Sequence, residues 1–282
     1  KEVYFYACVF ADREANKPMD RNTIDRIYSM TKPITGSALM KLHEQGMFQL
    51  DDPISKYAPE FSEMKVFTGV DAAGKLITEP AKRPITIRDI TRHTAGFASQ
   101  QHPNLGRLVE KADPTDYQNT LTQMARKLST LPLAFHPGDQ WSYGISVDVQ
   151  AYLVERISGQ PFDQYVKENI FDPLGMSTTR YVVPESDMGR FAAVYRRSDD
   201  PAPLSRVPDE DANAFNTKDW PLKAGGFGFT STVDDYMRFA RMLVNEGKLD
   251  SARLLKEETV KLMATNHLSD SVSKRMWLPS KG

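Results

Sequence analysis

Cysteine is nearly missing from this sequence: Cys8 stands alone, which excludes an internal disulfide framework and any metal site built from several thiolates. Long apolar runs are absent too, and nothing approaches the roughly 18 residues that a membrane-spanning helix needs. There is no surplus of charge: 36 Lys and Arg stand against 37 Asp and Glu, a formal net charge of −1. A basic field that would make nucleic acid or an acidic membrane the main partner is therefore excluded. The histidines His43, His93, His102, His136 and His267 show no metal-binding spacing such as H-E-x-x-H, so no metal or cofactor is implied. A P-loop is missing, and Gly226-x-Gly228 lacks a dinucleotide fingerprint's third glycine, because Ser231 stands in its place. What remains is 282 residues with 40% hydrophobic and 26% charged side chains, enough for one large domain or two smaller ones. Disorder throughout is excluded by the same composition.

The segment Lys1–Ala11 is rich in aromatic and β-branched residues and reads as a strand rather than a secretion leader. The polar stretch Asp12–Arg26 reads as a connection. Within Ile27–Gly46, Ile34, Ala38 and Leu42 recur at helical spacing; Pro33 fits only the first turn, and Gly46 is placed to end the helix. Short helices are expected in Asp51–Phe61 and Ile85–His93, and another near Tyr117–Leu128. A further helix carries Val149, Leu153 and Ile157 and stops at Gly159. The next carries Phe162, Val166 and Ile170 and closes at Gly175. Thr232-x-x-Asp235 resembles a capping box ahead of a helix bearing Phe239 and Leu243, and a last helix spans about Lys256–Ala264. About eight helices against one clear strand give no strand–helix alternation, which argues against a doubly wound sheet. A lone strand needs partners that the pattern does not supply.

Three Ser-x-x-Lys matches occur: Ser29–Lys32, Ser62–Lys65 and Ser271–Lys274. Residues three apart share a helix face, so a lysine amine there can reach the serine hydroxyl. Serine becomes a useful nucleophile only when a neighbouring base takes its proton. An amine serves as that base only when burial or a positive field brings its pKa well below about 10.4. Of the three, only Ser29 heads a long amphipathic helix, where backbone N–H groups and the helix dipole favour a developing oxyanion. The plainer reading of Ser29 is a capping serine followed by a solvent-facing lysine. Tyr143 lies between the His136-Pro137-Gly138 turn and a helix start, a place suited to an exposed proton-shuttling phenol; a half-buried tyrosine bonded to a carbonyl is the plainer alternative. His93 could act as a base or simply pack at a helix end.

Taken together, these stretches resemble the serine hydrolases of the class C β-lactamase superfamily, which also holds family VIII esterases, D-alanyl-D-alanine peptidases (penicillin-binding-protein-like enzymes) and acyltransferases. The resemblance rests on Ile27–Gly36, on Asp89-Ile90-Thr91-Arg92-His93-Thr94-Ala95-Gly96, on Pro137–Asp148 and on Gly225–Met242, in order along nearly the whole chain. It implies that Ser29 attacks an ester or amide carbonyl to form an acyl-enzyme, that Lys32 is its base partner, and that Tyr143 is the second proton-handling residue. Ser62 and Ser271 then become chance matches. Two departures stand out. Tyr143-Gly144-Ile145 lacks the asparagine of the β-lactamases' Tyr-x-Asn, as many family VIII esterases do. The third motif, Lys-Thr-Gly or a Trp/His-x-Gly variant, has no convincing match: Lys223-Ala224-Gly225 has the shape but sits in the glycine-rich segment, and His136-Pro137-Gly138 precedes Tyr143 and carries a proline that cannot donate.

The resemblance implies an α+β, β-lactamase/transpeptidase-like fold with an antiparallel sheet flanked by helices plus a mostly helical domain. Residues 1–48 and 184–282 would supply the sheet-containing domain, incomplete here, and 49–183 the helical one. It also implies a further strand before Lys1, and several strands and a helix after Trp277. The expected activity is ester hydrolysis on a small-molecule ester or amide substrate. β-Lactamase, peptidase and acyltransferase action by the same chemistry are the alternatives, and a non-catalytic binding or sensor protein on the same fold is the alternative of another class. Substrate identity, oligomeric state and compartment, cytoplasmic or periplasmic, stay open.

Overall fold

Of the strand expected over Lys1–Ala11, the described residues form strand only from Phe10 onward. The structure, a computed structural model, describes residues 4–198 and 201–273, so Lys1–Val3, Lys274 and the segment around Trp277 lie outside the described residues. Strand β1 (Phe10–Asp12) pairs antiparallel with β2 (Lys17–Pro18). Tyr4, Tyr6 and Val9 are exposed, and among the described residues no strand lies alongside them; aromatic β propensity without a partner edge does not make a strand. The chain continues through β3 (Asp25–Arg26), α1 (Thr31–Glu44), the hairpin β4–β5 (Lys65–Val70 and Leu76–Pro80), α2 (Ile87–Thr91), α3 (Gly106–Ala112), α4 (Leu121–Ser129) and α5 (Ser146–Ser158). Next come α6 (Phe162–Val166) and α7 (Asp172–Leu174), joined by a π turn, then the ladder β6–β7 (Tyr195–Arg196 with Ser205–Arg206) and α8 (Asp209–Ala212). Strand β8 (Thr230–Ser231), α9 (Val233–Val244), the ladder β9–β10 (Lys248–Leu249 with Ala252–Arg253), α10 (Glu257–Ala264) and α11 (Asp270–Ser273) complete the described chain. Every sheet among the described residues has two antiparallel strands, and β3 pairs with β8 across the length of the chain.

Helix α1 is the hub. Its apolar residues Ile34, Ala38, Leu39 and Leu42 are buried against α5, whose Val149, Ala151, Leu153 and Val154 are buried in turn. Helix α5 ends as its sequence dictates, with Gly159 in the left-handed conformation and its N–H on the Glu155 carbonyl. Phe229, just before β8, sits fully buried among aromatic rings, with Tyr181 4.3 Å and Phe171 5.1 Å away between ring centres. That ring cluster ties the chain entering α9 to the helical run 162–174 and to α1.

Differences from the expected elements have local causes. Asp51–Phe61 forms two 3-10 turns, Ile54–Lys56 and Pro59–Phe61, rather than one helix, because prolines at 53 and 59 restart the chain twice. The hairpin β4–β5, inside the stretch expected to be mostly helical, escapes notice because its turn is closed by Asp71, whose carboxylate accepts from the N–H groups of Ala73 and Lys75. At α9, Thr232 accepts from the Asp235 N–H, but the Asp235 carboxylate reaches across to the N–H groups of Thr178 and Thr179 instead of closing the box. A full capping box does start α4: Thr120 accepts from the Gln123 N–H at 3.2 Å, and Gln123 accepts from the Thr120 N–H at 2.7 Å. Thr120→Ala is expected to lower stability by about 1 kcal/mol in denaturant titration, and an unchanged midpoint would show that the cap contributes nothing.

Candidate active site

The chain reaches Ser29 through a strained bend. Tyr28 has φ +42°, in the left-handed region that a bulky side chain rarely occupies, and it lies 58% exposed. The bend is held on both sides: the Ile27 N–H donates to the Phe229 carbonyl, and the Met30 carbonyl accepts from the Tyr236 hydroxyl at 3.0 Å. Residues Tyr28–Met30 form a 3-10 turn that runs straight into α1, so Ser29 is presented to solvent at the helix entrance and Lys32 lies on the first turn.

Lys32 Nζ stands 3.0 Å from Ser29 Oγ, and the Tyr143 hydroxyl stands 2.8 Å from the same oxygen. The ammonium also lies 4.8 Å from the centre of the Tyr143 ring. The three residues that the sequence singles out are thus brought together, although Tyr143 is 114 positions away from Ser29. The second Ser-x-x-Lys match lands elsewhere: Lys65 opens β4, and Ser62 follows the 3-10 turn at Pro59–Phe61. Ser271 is exposed in α11, and its partner Lys274 is outside the described residues. Lys223 of the Lys-Ala-Gly stretch pairs with Asp219, and the Ala224 carbonyl accepts from the Tyr181 hydroxyl.

Tyr143 is placed by the Asp89–Gly96 run. Asp89, wholly buried in α2, accepts from Arg83, Arg92, the Thr86 N–H and the hydroxyls of Thr86 and Thr94. Burial alone would raise its carboxyl, but Arg83 and Thr86 outweigh that and hold it at about 2. The ordered run then captures the segment ahead of Tyr143: the Gly138 N–H donates to the Thr94 carbonyl, and the Ser142 N–H donates to the His93 carbonyl. Gly96, at φ +91°, allows the Phe135 carbonyl to approach where a Cβ would fall 2.3 Å away.

His93 itself takes a left-handed conformation, φ +59°, and its ring stacks on Tyr143 at 5.1 Å and meets Trp141 edge-on at 5.8 Å. Burial, with the charge of Lys32, pushes its imidazole down to about 4. It is therefore neutral at ordinary pH, and its ring supports the phenol rather than competing for a proton. His43, His136 and His267 have partners of their own away from Ser29: a Phe48 carbonyl, Glu79 and a Leu262 carbonyl. Lys32 and His93 also line a cleft of about 270 Å³ together with Pro33, Met40, Val147 and Leu262.

The glycine-rich segment completes the site. Gly225 is wedged between α1 and α5: a Cβ there would fall 2.5 Å from the Val147 carbonyl and 2.7 Å from the Ala151 Cβ. Thr35 donates to its carbonyl at 2.8 Å. The next carbonyl, that of Gly226, accepts from Lys32 Nζ at 2.6 Å. Gly226 N–H in turn donates to Asp148 Oδ1 at 2.9 Å. Sequence reasoning passed over Asp148 because an acid in the first turn of a helix is ordinary; its only signal was a position five residues after Tyr143. Among the described residues no group of three His, Cys, Asp or Glu side chains is arranged to hold a metal ion, and no helix is long and apolar enough to cross a membrane.

Protein Rv1367c of Mycobacterium tuberculosis is 36% identical over 277 residues, covering 95% of this chain and 66% of that protein. Esterase EstB of Burkholderia gladioli is 29% identical, covering 84% of this chain and 61% of the esterase. The structure of simvastatin synthase LovD from Aspergillus terreus superposes with a TM-score of 0.80 at 25% identity, covering 94% of this chain and 65% of LovD. The chain thus spans slightly less than two thirds of the length of each. The fold is the α+β fold of β-lactamases and transpeptidases. Residues 1–277 match the family described as Beta-lactamase, and this chain belongs to that family.

Proposed function

We propose that the protein is a serine hydrolase that works on carboxylic esters through an acyl-enzyme, with Ser29 as nucleophile, Lys32 as base partner and Tyr143 as the second proton carrier. The observation that carries this reading is the double approach to Ser29 Oγ, 3.0 Å from Lys32 Nζ and 2.8 Å from the Tyr143 hydroxyl. The esterase and acyltransferase relatives support the same chemical class.

The steps follow from that geometry. When either the Lys32 amine or the Tyr143 oxygen is free of its proton, it takes the proton of Ser29, and Oγ attacks the ester carbonyl carbon. The carbonyl π electrons move onto oxygen, whose charge faces the start of α1. As the tetrahedral centre collapses, the C–O bond to the alcohol breaks, and the stored proton passes to the leaving alkoxide. Water then attacks the acyl group by the same route, and the Ser29 hydroxyl is restored. Ile145 stands where a β-lactamase has its amide-holding asparagine, which favours esters over β-lactams.

Treating the full native chain with a fluorophosphonate and measuring intact mass tests the reading. One adduct is expected, located at Ser29 by peptide mapping, with Ser62 and Ser271 unlabelled. A chain that stays unmodified while remaining folded would favour a binding protein on the same fold.

A further inference from the structure

Asp148 is a fully buried carboxylate for which the mechanism above has no use. It is the third residue of α5, and its side chain turns inward rather than to solvent. Oδ1 accepts the Gly226 N–H at 2.9 Å, while the carbonyl of the same residue, one Cα further along the chain, accepts Lys32 Nζ at 2.6 Å. No side chain fits between them: a Cβ on Gly226 would lie 2.8 Å from Asp148 Oδ2. The carboxylate, residue Gly226 and the Lys32 side chain therefore form one connected path from α5 to α1 that ends at the nucleophile.

We propose that Asp148 is a positioning residue for Lys32: it anchors residue Gly226 by its N–H so that the Gly226 carbonyl holds the Lys32 side chain beside Ser29, and its buried negative charge sets the pH at which the site becomes reactive. The inference rests on the acyl-enzyme reading given above. Burial raises the Asp148 carboxyl to about 6, against the pull of the Gly226 N–H and of the Lys32 charge, so it is mostly ionised at neutral pH. The titratable groups that face these charges among the described residues include Tyr143, whose ring centre lies 4.8 Å from Lys32 Nζ. Lys32 faces Asp148 from α1; Tyr181 is pushed well upward by burial and by the charges of Asp163, Asp148 and Glu155; His93 faces Lys32 from the end of α2. A buried anion makes a neighbouring ammonium hold its proton more tightly.

The test is Asp148→Asn, which keeps an oxygen for the Gly226 N–H and removes only the charge, with Asp148→Ser as a second neutral variant in case the first does not fold. Labelling of Ser29 by a fluorophosphonate is followed by intact mass across pH in the full native chain, beside Ser29→Ala. The acid limb of labelling is expected to move to lower pH by about one unit in the neutral variants, while the plateau rate is kept in Asp148→Asn and falls in Asp148→Ser, whose shorter side chain holds Gly226 less firmly. A merely structural role would lower the rate at every pH and leave the limb in place. A folded variant whose limb coincides with the parent's, or moves upward, overturns the inference and leaves the acyl-enzyme reading standing. A parent that Ser29 labelling never reaches takes both down.

Discussion

Ser29→Ala is expected to cut ester hydrolysis by at least about 10³-fold, measured as release of p-nitrophenol from a short-chain ester by the full native chain. Among the described residues Ser29 Oγ is the oxygen that accepts from both Lys32 and Tyr143, so on the proposed mechanism its loss leaves those groups with nothing to activate. Lys32→Met should fall by a similar factor, and Tyr143→Phe by about 10²–10⁴, because each removes one end of the proton path. The combination is more informative than any single value. If the three side chains act as one unit, the double variant Ser29→Ala with Lys32→Met will be no slower than Ser29→Ala alone. Multiplying losses would mean that Lys32 works on the substrate independently of Ser29. A Ser29→Ala protein that keeps more than about a tenth of the parental rate would remove the nucleophile from the scheme altogether.

Ser29, Lys32 and Tyr143 were legible for two different reasons. The i, i+3 spacing at the head of an amphipathic helix made the Ser29–Lys32 contact predictable from geometry alone. Tyr143 became a candidate through its turn–helix setting, and the role proposed for it comes from the family resemblance. The supporting parts were hidden because their meaning lies in contacts between distant residues. Gly226 meets Lys32 across 194 positions and Asp148 across 78. The stacking of His93 on Tyr143 depends on a left-handed backbone turn that no spacing rule marks. Amphipathic helices such as α5 were found because their apolar spacing repeats over three turns. Two-residue strands such as β3 and β8 carry no such repeat, and pair only because the fold brings their backbones together.

Asp89→Ala is expected to destabilise the protein by about 3–5 kcal/mol, the usual cost of stripping the partner from buried charged groups. For a chain of this size that corresponds to a fall of roughly 5–10 °C in Tm. The size follows from what the carboxylate holds. Arg83 reaches it with two nitrogens at 2.5 and 3.0 Å, Arg92 with one at 3.1 Å, and the Thr86 N–H and the Thr86 and Thr94 hydroxyls complete the set. Alanine leaves every one of these donors without its acceptor. The same carboxylate also gives a pH signature. Its pKa is depressed in the folded chain to about 2, so its contribution is present above the unfolded value of about 3.9 and is lost as pH falls through about 2. That difference amounts to about 2–3 kcal/mol. Asp89→Asn, which cannot ionise, should therefore flatten the loss of stability between about pH 4 and pH 2 that the parent shows. Thermal unfolding of the parent and both variants across that range checks the argument, and a loss below about 1 kcal/mol for Asp89→Ala would sink it. The damage should also reach the site. Thr94 and His93 hold the Gly138 and Ser142 backbone that leads to Tyr143, so Asp89→Ala protein that still folds is expected to label Ser29 more slowly. Asp89 touches none of the reacting atoms; it sets where the phenol stands.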